Sequence, residues 1–258
     1  MKHIKKRFQF QKLATQEEIN QLSKVGQYHP YATVSAIKNP PKDHQCFLLT
    51  DQNYLLTAFH IKLNGKPFYI PEPDPILIYF NNAYSSYREI REMKNKLVKL
   101  LENNTLSESI INELYYYFGL TNGFVIFLFT AVEAFINRNI PDNYIYIVKK
   151  RNTTESYDKE QIQRYISFDD KFKKVLKEAS SKDFSHSYPL KFQHLTNLKE
   201  FRDSIVHTKA GQSGLTPFDY LYKKALSFKY EDTLHAVRDF MNYYEADYVE
   251  ECNCGNDW

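Results

Sequence analysis

Leu195-Thr196-Asn197-Leu198-Lys199-Glu200-Phe201-Arg202-Asp203-Ser204-Ile205-Val206-His207 is the stretch that decides the fold. Leu195, Leu198, Ile205 and Val206 recur at helical spacing, which predicts an amphipathic helix with one apolar stripe packed on its neighbours. Arg202 falls inside that stripe. A guanidinium at a core-facing position needs compensation, either from a carboxylate of the protein or from an anion that arrives from outside. Asp203 and His207, four residues apart, are neighbours on the helix surface, so the carboxylate can orient the imidazole. Arg202 and His207 stand about 140° apart on an ideal helix, so they border one groove rather than share one narrow face.

Upstream of this helix, Phe124 to Ile136 is the most apolar run, and Glu133 is its lone charge. It is short for a bilayer span and reads as a core helix, ended by Pro141. Ile76, Phe80, Ala83, Tyr87, Ile90, Lys94 and Leu97 predict a long helix to about Glu102. Thr105 or Ser107 caps the next helix, which Gly119 and Gly123 are expected to break or bend. Residues 142 to 166 read as an insertion: Tyr144 to Val148 has strand composition and Lys149 to Glu160 is a polar connector. Phe168 to Ala179 predicts a short helix, Pro189 to His207 the helix quoted above, and Ala210 to Gly214 a flexible stop. Lys229 to Glu250 is the last long helix.

The first 75 residues are different. Pro40-Pro41 and Pro67, Pro71, Pro73 and Pro75 forbid helical continuity, and Asn64-Gly65 between two apolar runs signals a two-residue hairpin turn. Pro67 confines its strand to a sheet edge. The expected organisation is an N-terminal extension with a β-hairpin (1–75), a helical domain (76–250) and a polar tail (251–258) containing Cys252 and Cys254. The fold class is mainly α: an antiparallel helical bundle with a small irregular β-containing N-terminal extension.

Composition narrows the class further. Among 258 residues, 43% are hydrophobic, 16% aromatic and 25% charged, with only 7 glycines, which excludes a disordered or low-complexity chain. A net charge of +3 permits a polyanionic partner without requiring one. Three cysteines are too few for a secreted disulfide framework, and no apolar signal segment follows the basic Met1 to Arg7, so the expected location is the cytoplasm, without a membrane.

An arginine, a histidine and a carboxylate within two turns unite a cation for an anionic transition state with a group that exchanges protons near neutral pH. Such a set suits metal-free cleavage of an RNA phosphodiester: the histidine handles the proton of the ribose 2′-oxygen or the leaving 5′-oxygen, and the arginine neutralises charge on the phosphate. One histidine serves poorly as both base and acid, and a symmetric homodimer would supply a second.

Leu198 to His207 resembles the Arg-polar-x3-His signature helix of the HEPN superfamily. Phe129 to Asn137, with Glu133 and Asn137, resembles an earlier core helix of that superfamily, and Thr233 to Phe240 its closing helix. The resemblance covers roughly residues 76 to 250. It implies a metal-independent endoribonuclease that acts as a homodimer, leaves 2′,3′-cyclic phosphate ends and works in defence against phage or as a toxin. Arg202 and His207 carry over as the catalytic pair, with Asp203, Glu133 and Asn137 in support. Asp203 stands where asparagine is commonest. Lys209 replaces the tyrosine of the toxin subgroup whose tyrosine is modified by a partner enzyme, which points away from that subgroup.

Other features extend or compete with this reading. Lys209, Lys171 and Lys174 are candidate RNA-binding cations, the latter two on a segment that also carries Lys173, Lys177 and Phe172. Tyr115-Tyr116-Tyr117 either stacks bases or fills core and interface. His186 and His194 lack ligand spacing, so neither a metal nor another cofactor is expected. The N-terminal extension is expected either to recognise a protein partner or to help the dimer form. Against the enzyme stands a catalytically silent interaction or ligand-binding module, in which Glu133 and Arg202 form a structural ion pair and His207 interacts with the helix dipole.

Overall fold

The computed structural model describes residues 4–8, 11–24, 46–50, 52–102, 107–208 and 218–252. The chain divides into two units, Lys5–Leu77 and Ile4 with the residues from Ile78 onward. The first is built on β1 (Gln11–Leu13), α1 (Gln16–Lys24), β2 (Cys46–Leu49), β3 (Tyr54–Leu63) and β4 (Lys66–Pro71). Asn64 (φ 51°) and Gly65 (φ 78°) adopt the two positive φ angles of a type I′ turn and pair Leu63 with Lys66. The long β3 takes β1 and β2 on either side of its first half and β4 along its second, all antiparallel. Pro67 lies on β4, whose described pairing is with β3 alone.

Helices dominate the second unit. Asp74 accepts a hydrogen bond from the Ile76 backbone N–H (2.9 Å) as α2 (Pro75–Glu102) begins, and the division between units falls in its first turn. Next comes α3 (Glu108–Asn139), whose cap Ser107 accepts from the Ile110 N–H at 3.4 Å. Thr105, the other expected cap, lies outside the described residues. Ion pairing of Lys96 with Glu113 and a hydrogen bond from Tyr116 to Glu89 lay α3 antiparallel to α2.

The expected break at Gly119 and Gly123 is absent, because α3 runs uninterrupted for 32 residues. A helical glycine costs about 1 kcal/mol relative to alanine. Burial of Tyr117, Thr121, Phe124, Val125 and Leu128 on either side outweighs that. The helix is therefore long and apolar enough to cross a membrane, which corrects the expectation that its apolar run is too short. Its buried face packs on the helices Pro189–Val206 and Tyr230–Tyr244.

After Ile140 the segment of strand composition forms β5 (Tyr146–Lys149), and the stretch read as a polar connector forms β6 (Thr154–Tyr157) and the start of α4 (Lys159–Tyr165) instead. Ile140, Tyr146, Ile162 and Val175 give this segment a small core of its own. Asp158 starts α4 with a capping box: it accepts from the Gln161 N–H while the Gln161 side chain accepts from Asp158 N–H.

The next helical stretch is α5 (Phe168–Asp170), a π turn (Lys171–Val175) and α6 (Leu176–Ser180), then α7 (Phe184–Ser187). The quoted stretch becomes α8 (Pro189–Val206), opened by proline at its first position. The chain closes with α9 (Asp219–Ser227) and α10 (Tyr230–Tyr244). Ion pairing of Lys191 with Asp239 (2.8 Å) and the Phe201–Phe228 contact (5.0 Å) set α8 antiparallel to α10. Phe240 at their centre meets Phe135, Phe172 and Phe184 edge-on.

Candidate functional site

The buried stripe of α8 is Leu195, Leu198 and Phe201, while Val206, expected in it, is 52% exposed. Arg202 follows Phe201 at the edge of that stripe and is partly buried. Its guanidinium lies 4.3 Å from the centre of the Phe129 ring on α3, a cation–π arrangement, and donates to Asp203 Oδ1 at 2.8 Å. Glu133, one turn beyond Phe129, holds Oε2 3.9 Å from the guanidinium, at the outer limit of an ion pair.

The other Glu133 oxygen is occupied. Lys171, with a side chain only 3% exposed, approaches Oε1 at 3.3 Å and donates to Asn137 Oδ1 at 3.1 Å. The π turn aligns Lys171 with Phe172, Val175 and Leu176 on the inner side. At the opposite end, Asp203 Oδ2 accepts from Lys199 at 3.0 Å, and Lys199 also pairs with Asp169 at 3.2 Å. Six side chains thus alternate in sign: Lys171, Glu133, Arg202, Asp203, Lys199, Asp169.

Electrostatics within this row are mutually supporting. Partial burial works against the charge of Asp203, but its hydrogen bonds and charge interactions with Lys199 and Arg202 prevail and hold the carboxyl below its ordinary range. The bond to Asp203 raises Lys199 in turn, against desolvation. On α9, burial lowers the Lys224 ammonium, which lies 5.5 Å from the Phe201 ring, and the nearby Glu200 and Asp203 oppose that shift.

His207 ends the helix. Its backbone N–H closes the last turn on the Asp203 carbonyl at 2.9 Å, and the Thr208 hydroxyl satisfies the Ile205 carbonyl at 2.6 Å. His207 lines an open pocket of about 460 Å³ with Asp203, Ser204 and Tyr220. Arg202 is not among the lining residues; Asp203 connects it to the pocket. The expected Asp203–His207 side-chain pair does not form, since Lys199 and Arg202 occupy the carboxylate.

No family model matches the chain, and no curated protein or solved structure does.

Of the sequence-predicted site residues, Arg202, Asp203, Glu133 and Asn137 come together, with His207 on the far side of Asp203. Lys171 joins them, which corrects its expected role as an RNA-guiding surface cation: its ammonium is buried on Glu133 and Asn137. Lys174 is exposed but engaged by Asp170 at 2.7 Å, and Lys173 and Lys177 pair with Asp169 and Asp183. Lys209 and the stop at Ala210 to Gly214 lie outside the described residues, as does Cys254. Tyr117 is buried, whereas Tyr115 is exposed and Tyr116 bonds Glu89. Among the described residues no group of His, Cys, Asp or Glu could hold a metal ion.

Sequence reasoning passed over Lys199, Asp169, Tyr220 and Lys224. Tyr220 and Lys224 stand on α9, which carries no side-chain cap to announce it. Tyr117 and Tyr230 both donate to the Ala225 carbonyl (3.3 and 2.6 Å), and Lys94 to that of Leu226 (2.7 Å). These bonds fix α9 from its C-terminal end and set Tyr220 against the pocket. The usable signal was the four-residue spacing of buried Leu221 and Ala225.

Proposed function

We propose that this chain is a HEPN-like, metal-independent endoribonuclease of the cytoplasm that works as a homodimer on RNA, in defence against phage or as a toxin. The observation that carries the reading is the position of Asp203, which bonds Arg202 on one side and lines the His207 pocket on the other. A phosphate entering that pocket meets a titratable ring and, one carboxylate away, a guanidinium that it can draw from Asp203, because Lys199 remains to hold the carboxylate. Exposed Val206 and Tyr220 beside the pocket suit coverage by a second copy, which brings a second His207.

In this scheme one His207 accepts the 2′-hydroxyl proton and the other protonates the leaving 5′-oxygen, giving a 2′,3′-cyclic phosphate. In this reading the N-terminal unit recognises a protein partner or helps the dimer form. The test is incubation of the purified dimer with RNA in EDTA. Cleavage with cyclic phosphate ends, lost about 100-fold or more in folded His207→Ala, is the expected result; undiminished cleavage in that variant removes His207 from the mechanism.

One observation favours a catalytically inactive HEPN-like interaction or ligand-binding module instead. The six-residue row carries three positive and three negative side chains, so Arg202 is already compensated within the protein. Absence of cleavage on every RNA tried, with a stable dimer, selects that reading.

A further inference from the structure

We propose that Lys171 is a positioning residue for Arg202, acting through Glu133. Its catalytic consequence rests on the ribonuclease reading above; its structural consequence does not.

The fold buries this ammonium, and burial of a charge is expensive unless partners replace water. Glu133 Oε1 and Asn137 Oδ1 do so, at 3.3 and 3.1 Å. An aliphatic side chain at this position would fill the same space beside Phe172, Val175 and Leu176 without that penalty. What the ammonium adds is its field on Glu133. With Oε1 held by Lys171, the carboxylate is partly neutralised and turned, and Oε2 stays 3.9 Å from Arg202. Arg202 consequently rests over Phe129 and spends its short hydrogen bond on Asp203, toward the His207 pocket.

Without the Lys171 charge, the geometry favours a different pairing. Both Glu133 oxygens become available to the guanidinium, and a two-point carboxylate–arginine pair is the strongest the set can form. Arg202 then turns toward α3, and a phosphate in the pocket loses its cation. π turns concentrate at functional sites, and this one begins at Lys171 itself.

The experiment follows the Arg202 Nε–H resonance by NMR, assigned with Arg202→Lys, together with kcat and KM on an RNA oligonucleotide. In Lys171→Met the resonance moves and kcat falls about tenfold per folded molecule while KM changes little. Lys171→Met combined with Glu133→Gln returns both toward wild type, because the amide no longer competes for Arg202. Asn137→Asp keeps the ammonium paired and folded, and shifts the resonance in the same direction by giving Lys171 a second carboxylate and releasing Glu133. If Lys171→Met fails to fold, Asn137→Asp decides. An Arg202 resonance unmoved in the folded variants overturns the proposal, as does a kcat that follows only the folded fraction. A wild type that cleaves no RNA, with a resonance that responds as stated, refutes the ribonuclease reading and leaves the positioning of Arg202 by Lys171 standing.

Discussion

The two ends of the charged row obey different physics. At the α3 end, the Lys171 ammonium is buried and faces Glu133 and Asn137. At the α8 end, Asp203, Lys199 and Asp169 are partly solvated, and water can replace any one partner. Identical chemistry, an ammonium facing a carboxylate, therefore fixes structure at one end and leaves freedom to exchange partners at the other. Arg202 belongs to both. It leans on the fixed end through Phe129 and Glu133 and reaches the exchangeable end through Asp203, an arrangement that suits the anion-receiving role proposed for it.

Breaking the dry end has the largest expected effect. Glu133→Ala leaves the buried Lys171 ammonium with one amide oxygen; because the Glu133 side chain is itself 35% exposed, the expected loss is about 2–3 kcal/mol, short of the roughly 3–5 kcal/mol of a fully buried pair. Urea unfolding at neutral pH reads this as a lower midpoint with an unchanged slope. A loss below about 1 kcal/mol would mean that water reaches Lys171 and that the two ends do not differ as described.

A smaller effect of opposite sign is expected where α3 departs from its sequence reading. Gly119 is exposed, and a Cβ built on it meets nothing within 4 Å. Gly119→Ala should therefore stabilise the protein by up to about 1 kcal/mol, through helix propensity and a less flexible unfolded chain. Differential scanning calorimetry would show a higher Tm; a lower one would mean that the glycine serves a contact outside the described residues.

Legibility in the sequence followed range. The Asn64-Gly65 turn, the Ser107 cap and the amphipathic faces of α2 and α10 depend on residues a few positions apart, and their local patterns pointed to them. Glycines 119 and 123 misled because a local propensity of about 1 kcal/mol was set against the burial of a whole helical face, which no local window counts. Lys171 misled for the mirror reason: on a strict 3.6-residue helix it reads as one of several surface lysines, and the π turn that brings it inside has no sequence signature. Arg202 and Glu133 were legible as rare charges in apolar runs. That Glu133 would be shared with Lys171, and Asp203 drawn to Lys199 rather than His207, depended on three-dimensional competition for two carboxylates.

At the solvated end the expected effect is smallest and carries a pH signature. The Asp203 carboxyl is held below its ordinary value of 3.8, so the folded state binds its proton less readily than the unfolded chain does. The sign follows: the contribution of Asp203 is complete above that ordinary value and fades as pH falls through the lower, folded one. Asp203→Asn keeps the side-chain shape, removes the charge and places at 203 the residue commonest in the resembled signature. At neutral pH it should cost no more than about 1 kcal/mol, because Lys199 retains Asp169 and Arg202 retains Phe129 and Glu133. Stability measured from pH 6 down to pH 2 should fall less steeply in the variant than in the wild type. The same substitution weakens the Arg202 bond by removing the negative charge from its acceptor, so on the ribonuclease reading proposed above RNA cleavage rises if Asp203 restrains the guanidinium. If cleavage falls instead, the carboxylate itself takes part, and the solvated end of the row holds its partners as firmly as the buried end does.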